Sequence, residues 1–191
     1  MKVLLINPPA ENLVQTFAPE ALTEEMGFYP PMGLLYVAAG VTQAHGGRFP
    51  LEVLDTQVER MDYAQIERHI QENRPDVVGI SSMTFLLLDS LKVARIVKKI
   101  DPGIHVVIGG AHPSIYPEEI ASQPDIDSIV MGEGEHAFLR AIRDPEDRKL
   151  YLLFRSGRTP REVAHLLGRR VRDMKEARER LVSRLEEQLL N

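Results

Sequence analysis

The stretch Val106-Val107-Ile108-Gly109-Gly110-Ala111-His112-Pro113-Ser114 constrains this chain more than any other. A β-branched run that breaks into two glycines predicts a buried strand whose carboxyl end enters a tight loop, where backbone must approach something closely. Val77-Val78-Gly79-Ile80 runs in the same way into Ser81-Ser82-Met83-Thr84, and Ser128-Ile129-Val130-Met131 runs into Gly132-Glu133-Gly134-Glu135. In an open parallel sheet, ligands sit in the crevice beyond the carboxyl ends of the strands, so three small-residue loops at successive strand ends predict one site.

The intervening segments complete a sheet. Residues 2–7 read as a first strand stopped by Pro8-Pro9, residues 51–54 as a second reaching Asp55-Thr56-Gln57, and residues 76–80, 104–108 and 127–131 as the third, fourth and fifth. Helical spacing falls between them, at 34–44 (Leu34, Val37, Ala38, Val41), 63–71, 85–100, 117–122 and 135–143. His45-Gly46-Gly47 closes the first helix and Asp101-Pro102-Gly103 the third. Strands alternating with helices predict a right-handed, doubly wound α/β sheet of five strands in the order 2-1-3-4-5, with the site over strands one, three and four. Residues 10–28 carry no period and end at Tyr29-Pro30-Pro31-Met32-Gly33, the pattern of a surface excursion.

Composition removes several chemistries. The 191 residues include no cysteine, which excludes disulfides, thiolate zinc sites, iron-sulfur clusters and cysteine nucleophiles within them. The apolar core of the amino terminus is too short for a signal peptide, and no apolar run nears the roughly 20 residues that span a bilayer. A cytoplasmic protein without a membrane partner is the expectation. Charge divides the chain: residues 1–143 hold 11 Lys/Arg against 19 Asp/Glu, and residues 144–191 hold 12 against 9. Two domains, 1–143 and 144–191, with different partners follow from that asymmetry.

Asn7-Pro8-Pro9, Tyr29-Pro30-Pro31-Met32-Gly33-Leu34, Gly79-Ile80-Ser81-Ser82-Met83-Thr84, Gly109-Gly110-Ala111-His112-Pro113-Ser114 and Gly132-Glu133-Gly134-Glu135 together resemble the amino-terminal cobalamin-binding domain of cobalamin-dependent radical S-adenosylmethionine enzymes. The resemblance covers about residues 1–142. It implies a Rossmann-like (flavodoxin-like) fold with the corrin across the carboxyl edge of the sheet and its nucleotide tail between the strand-three and strand-four loops. The residues implied in cobalamin binding are Tyr29, Pro31, Gly33, Asp55, Thr56, Gln57, Ser81, Ser82, Met83, Thr84, Gly109, Gly110, Ala111, His112, Ser114, Gly132, Glu133, Gly134 and Glu135. Gly109 and Gly110 suit a slot without bulky walls, and Ser81, Ser82, Thr84 and Ser114 offer hydroxyls to the tail. Taken singly, each glycine also serves to make a turn and each hydroxyl to cap a helix.

One departure from other cobalamin proteins is informative. Those of the methionine synthase and mutase type carry Asp-x-His-x-x-Gly after strand two, the His binding cobalt. Here Gln57 stands in the His position and Arg60 in the Gly position. The resemblance therefore implies cobalamin bound base-off with no protein His ligand and no metal held by protein side chains. His112, in a loop before Pro113, is the one histidine within reach of the site and reads as a hydrogen-bonding residue; His136 reads as surface, and His45, His69, His105 and His165 lie away from that edge.

The radical domain of that family needs a three-cysteine signature that these residues lack. The carboxyl segment instead resembles a sigma-factor-like helix-turn-helix, with a capping box at Thr159-Pro160-Arg161-Glu162, a helix at 162–167, Gly168, and a long helix at 171–190. Arg169, Arg170, Arg172, Lys175 and Arg178 would be its DNA contacts, diluted by Glu176 and Glu179. A packing or dimerising helix accounts for the same pattern through Met174, Ala177, Leu181, Leu185 and Leu189.

Three functions fit. The first is a cobalamin-binding module without a catalytic centre, acting as a cobalamin-responsive regulator or carrier through residues 150–191, which bind DNA or a partner protein or form a homodimer. The second is the cobalamin-binding part of a radical methyltransferase whose cluster lies on a separate partner. The third is a cofactor-free, flavodoxin-like interaction domain.

Overall fold

A computed structural model describes residues 1–14, 29–47, 49–143, 159–167, 170–176 and 178–179. The chain divides into two compact units, Met1–Ile142 and Arg143–Asn191. In the first, strands β1 (Val3–Asn7), β2 (Leu51–Asp55), β3 (Val77–Ser81), β4 (His105–Gly109) and β5 (Ser128–Val130) alternate with helices. These are α1 (Met32–His45), α2 (Tyr63–Asn73), α3 (Leu87–Ile100), α4 (Ala111–Ile115), α5 (Pro117–Ala121) and α6 (Gly134–Arg143), with a 3-10 turn at Thr84–Leu86 leading into α3. All pairings are parallel and the order is β2-β1-β3-β4-β5, the Rossmann-like arrangement expected from the sequence.

Strands buried on both faces need apolar residues at nearly every position, and VLLIN, VVGIS and HVVIG supply them. Val3, Leu5, Val77, Val107 and Val130 pack with Leu34, Val37 and Val41 of α1 and Phe138 of α6 on one face. The alternation of strand side chains sends Leu4, Ile6, Val78, Ile80, Val106 and Ile108 to the other face. Ile66 and Ile70 of α2 and Val93, Ala94 and Val97 of α3, all fully buried, supply the apolar surface complementary to it.

Helix ends follow local chemistry. Gly46 takes the left-handed conformation that stops α1, as the His45-Gly46-Gly47 pattern predicts. Asp62 and Gln65 form a reciprocal capping box at the start of α2. One element departs from expectation: residues 111–115, read as loop, form α4. The chain turns sharply at Gly110, and Pro113 falls within the first helical turn, where its missing N–H is not needed.

In the second unit, α7 (Pro160–Leu167) begins with the predicted capping box, Thr159 N donating to Glu162 Oε2 at 2.7 Å and Glu162 N to Thr159 Oγ1 at 3.3 Å. Residues 171–176 and 178–179 are also helical, and Val163, Ala164 and Met174 are buried. The remainder of the long helix expected at 171–190 lies outside the described residues.

Candidate functional site

The loops that leave the carboxyl ends of β1 to β5 meet along one edge of the sheet. At β1 and β2 they are laced together: Asn7 Nδ2 donates to Asp55 Oδ1 (2.9 Å), Thr56 Oγ1 to the Asn7 carbonyl (2.7 Å), and Gln57 Nε2 to the Pro8 carbonyl (2.9 Å). Arg60 occupies the left-handed region with φ of 52°, so the turn keeps the shape that glycine would adopt at this position. Gln57 is thus held by Pro8, and its amide nitrogen is occupied.

The β3 and β4 loops interlock through backbone. Ser82 N donates to the Gly109 carbonyl (2.7 Å) and His112 N to the Ser82 carbonyl (3.1 Å). Gly110 has φ of +114°, and a Cβ there would stand 2.6 Å from the Ser82 carbonyl oxygen, so both its conformation and its neighbour require glycine. Ser82 is fully buried, yet its hydroxyl has no hydrogen-bond partner. Buried hydroxyls in native proteins are nearly always satisfied, and among the described residues this one is an exception.

His112, read from the sequence as a hydrogen-bonding loop residue, stands on a helix instead of in a loop. It is buried on α4, its Nδ1 is 3.3 Å from Thr84 Oγ1, and its ring packs 5.2 Å from that of Tyr116. Its Nε2 lies 3.5 Å from Glu119 Oε2 without hydrogen-bond geometry. This setting joins the β3 loop to α4 and α5. Ser114 has a similar part, donating to the Gly110 carbonyl (2.8 Å) and accepting from Gly132 N (3.1 Å), which ties the β4 loop to the β5 loop.

Beneath these loops lies a slot of about 120 Å³ on the α1 and α6 side of the sheet. Its floor follows from strand register. Ser81 and Gly109 pair across β3 and β4, and Gly109 pairs with Val130 of β5; two residues deeper, Leu5, Gly79 and Val107 form the next row. Its roof is Gly33, Leu34 and Val37 from α1 and Gly134 and Phe138 from α6. Glycine lets its walls pack closely: the place of a Cβ on Gly79 is taken by Leu5 Cδ2 at 2.6 Å and Phe138 Cε2 at 2.9 Å, and that of one on Gly134 by Val37 Cγ2 at 2.7 Å. An apolar cavity of roughly 150 Å³ holds a benzene ring, so the slot has the scale of a flat aromatic group entering from the edge.

Around the slot the edge exposes large apolar side chains, among them Tyr29 (77%), Met32 (53%), Tyr36 (57%), Met83 (41%), Ile115 (62%) and Tyr116 (51%). The β1 loop is anchored from below by Asp89, a fully buried carboxylate that accepts from Asn12 N, from Asn12 Nδ2 (2.7 Å) and from the Tyr63 hydroxyl. Burial, then the hydrogen bond and charge of Asp89, push the Tyr63 phenol above its ordinary value, and Lys92 Nζ sits 3.4 Å from the ring centroid. Among the described residues no cluster of three or more His, Asp or Glu side chains could hold a metal ion, and no helix is long and apolar enough to cross a membrane.

The structure brings Asp55, Thr56, Gln57, Ser81, Ser82, Met83, Thr84, Gly109, Gly110, Ala111, Ser114, Gly132, Glu133, Gly134 and Glu135 to this edge, with Tyr29, Pro31 and Gly33 leading into α1. Thr56 and Ser82 are buried within it, whereas Met83, Thr84, Gly132 and Glu133 are exposed. The slot's inner lining of Leu5, Val37, Val107 and Phe138 was missed. Its signal was available, since a glycine inside a buried strand, as at Gly79, marks a close approach, and the predicted strand order sets Leu5 and Val107 beside it. In the second unit Arg170, Arg172, Lys175 and Arg178 are exposed. Arg170 pairs with Asp173 (3.0 Å), which raises its pKa, and Arg172 with Glu176 (3.8 Å). Arg169 lies outside the described residues.

Comparison with known proteins gives this edge a context. Residues 22–142 match the model of the B12 binding domain. An uncharacterized methyltransferase of Pyrococcus horikoshii is 34% identical over 74% of this chain and 29% of its own length. The anaerobic magnesium-protoporphyrin IX monomethyl ester cyclase of Rubrivivax gelatinosus is 30% identical over 74% of the chain and 24% of its own. The cytidylyl-2-hydroxyethylphosphonate methyltransferase of Streptomyces wedmorensis is 31% identical over 72% and 27%. The chain thus spans under a third of the length of these relatives, and the matching family model stops before the second unit. With residues 22–142 matched, the chain belongs to the B12-binding domain family.

Proposed function

We propose that this chain is the cobalamin-binding part of a methyl-transfer system whose iron-sulfur cluster is carried by polypeptide outside these 191 residues. The slot carries the reading: it lies beneath the loops whose motifs signalled the family and is lined by Gly33, Gly109, Gly110, Gly132 and Gly134. The methyltransferases among the relatives support this reading over the regulator that the missing cysteines first suggested. Bound cobalamin would supply methyl-carrier chemistry; the protein's part is to seat, orient and shield it.

The residues divide that work. Tyr29, Pro31, Gly33, Met83, Gly132 and Glu133 offer the broad edge for the corrin, and Gly109, Gly110, Ala111 and Ser81 the mouth of the slot for the tail. The half-buried Ser81 at the slot's mouth offers its hydroxyl to an acceptor on the tail. No imidazole takes the lower axial position in this reading, because Gln57 is tied to Pro8 and His112 is enclosed by Thr84, Tyr116 and Glu119. Cobalamin held base-off without a protein His ligand is what the family resemblance implies.

Titrating the purified chain with hydroxocobalamin tests this. A stoichiometric, base-displaced absorbance spectrum is expected; the unchanged spectrum of free cobalamin would overturn the reading and leave a cofactor-free interaction domain. Recovery of a cysteine-bearing polypeptide with the cobalamin-loaded chain is the companion test. The regulator reading rests on the exposed Arg170, Arg172, Lys175 and Arg178. Two of these four are already paired with carboxylates, and steep salt dependence of DNA binding is what it requires.

A further inference from the structure

α1 differs from α2 and α3 in carrying no Asp, Glu, Lys or Arg along its length. The exposed positions of α2 include Arg68 and Glu72, and those of α3 include Lys92, Arg95 and Lys99, as a surface helix ordinarily requires. α1 instead has two apolar faces. Leu34, Val37 and Val41 are buried, whereas Met32, Leu35, Tyr36 and Ala39, spaced i, i+3, i+4, i+7 on the opposite side, are exposed. A helix that is apolar all round is ordinarily a covered one, and adjoining exposed apolar side chains mark interaction surfaces. This stripe extends beyond the cofactor edge. As the crossover from the carboxyl end of β1 to the amino end of β2, α1 runs down the side of the sheet, so Ala39 lies roughly 10 Å below Met32. A corrin lying flat across the edge meets the top of the stripe at most, so whatever covers the rest is a larger body.

Resting on the cobalamin reading above, we propose that the outer face of α1, formed by Met32, Leu35, Tyr36 and Ala39, is the surface by which the cluster-bearing polypeptide grips this domain. Two observations select that occupant over a second copy of the chain. Three partly exposed side chains and one alanine offer only about a few hundred Å², short of the roughly 800 Å² per partner that a stable interface buries. Residues 1–143 also hold 11 Lys/Arg against 19 Asp/Glu, so a second copy brings like charge up to the stripe. A body that covers the cofactor edge and continues down α1 gains the missing area from the edge itself, where Tyr29 and Met83 are exposed. The relatives are built on that scale: the matched segment is 29% of one methyltransferase and 27% of the other, which leaves most of each chain beyond it. The complementary face of the partner is apolar and uncharged, so the grip on α1 is insensitive to salt.

The test uses the full chain loaded with hydroxocobalamin and the cysteine-bearing polypeptide recovered with it, identified by its three-cysteine signature and purified. Leu35→Lys and Tyr36→Glu place charge on the stripe at exposed positions that line neither the slot nor the corrin edge. Each is expected to weaken binding of that polypeptide about tenfold or more, while the cobalamin absorbance spectrum stays that of the native chain. Arg68→Glu, on the exposed face of α2, is expected to change neither. Binding by the native chain should hold steady as salt is raised. Equal binding of the partner by the native chain and by both α1 variants would overturn the docking surface and leave the cobalamin reading intact. A native chain that sediments as a dimer, with both variants monomeric, would give the face to a second copy and overturn it too. A native chain that takes up cobalamin but retains no cysteine-bearing polypeptide would likewise overturn it. Failure to take up cobalamin would remove the reading on which the inference rests.

Discussion

At the amino ends of the strands, nearly every polar group has a partner. Lys98 Nζ lies 2.6 Å from Asp127 Oδ2 and also donates to the Ile104 carbonyl (2.7 Å), while Asp127 accepts from Val106 N (2.7 Å). His105 Nε2 is 2.8 Å from Ser128 Oγ, His69 Nε2 is 2.8 Å from Glu52 Oε1, and Lys2 Nζ donates to Asn73 Oδ1 (2.8 Å). At the carboxyl ends of the same strands, the buried Ser82 hydroxyl and His112 Nε2 lack hydrogen-bond partners, a slot stands open, and aromatic side chains face outward. One sheet thus keeps its stability at one edge and its capacity to bind at the other. The comparison teaches which groups to read as structure and which as preparation for a ligand.

The largest expected effect concerns the anchor that holds the open edge in place. Asp89→Ala strips the acceptor from Asn12 and Tyr63 and should lower stability by about 3 kcal/mol, measured by urea unfolding. Unchanged stability would mean that the β1 loop is held by something else. The same anchor predicts a response to alkali. Because the Tyr63 phenol in the fold lies above its ordinary value of 10.0, the unfolded chain releases that proton first, so stability falls as pH rises past that point. Urea midpoints from about pH 9 to about pH 11 should drop more steeply for the native chain than for Tyr63→Phe.

Next in size is Gly79→Ala. The added methyl meets Leu5 and Phe138 within 3 Å, which should destabilise by about 2 kcal/mol and weaken cobalamin retention together. A pair of serines then sets the two edges directly against each other. Ser128→Ala, which leaves His105 without that partner, should reduce stability by about 1 kcal/mol and leave cobalamin affinity unchanged. Ser81→Ala, at the mouth of the slot, should leave the ligand-free protein about as stable as before, while weakening cobalamin binding. Reversal of these two outcomes would abolish the distinction between the edges. The smallest effect is expected from Glu52→Gln, whose partly exposed pair with His69 should contribute under about 1 kcal/mol.

Much of this was readable in the chain before any coordinates. Runs such as Val77-Val78-Gly79-Ile80 are β-branched enough to be strands and too apolar to lie anywhere but the centre of a sheet, and their glycine and serine exits mark the edge that binds. The capping box of Thr159 and Glu162 and the stop at Gly46 are local devices, legible because each acts within a few residues. The burial of His112 has no such local signal. Its burial is set by Thr84, Tyr116 and Glu119, and Thr84 reaches it only when β3 and β4 lie side by side. Asp89 carries no local signal of its role, because its partners Asn12 and Tyr63 are distant in sequence.

The sequence by itself determined the order and kind of elements, the edge at which the small-residue loops gather and the exclusion of cysteine chemistry within these 191 residues, since these follow from periodicity, turn residues and composition. Tertiary structure alone decided that Leu5, Gly79 and Val107 form one row, that α1 and α6 roof it, and that the Ser82 hydroxyl is left without a partner while Ser128 is not. The physical reason is that a slot is a relation among side chains from separate strands and helices. Its depth and polarity exist only once register and packing have brought them together.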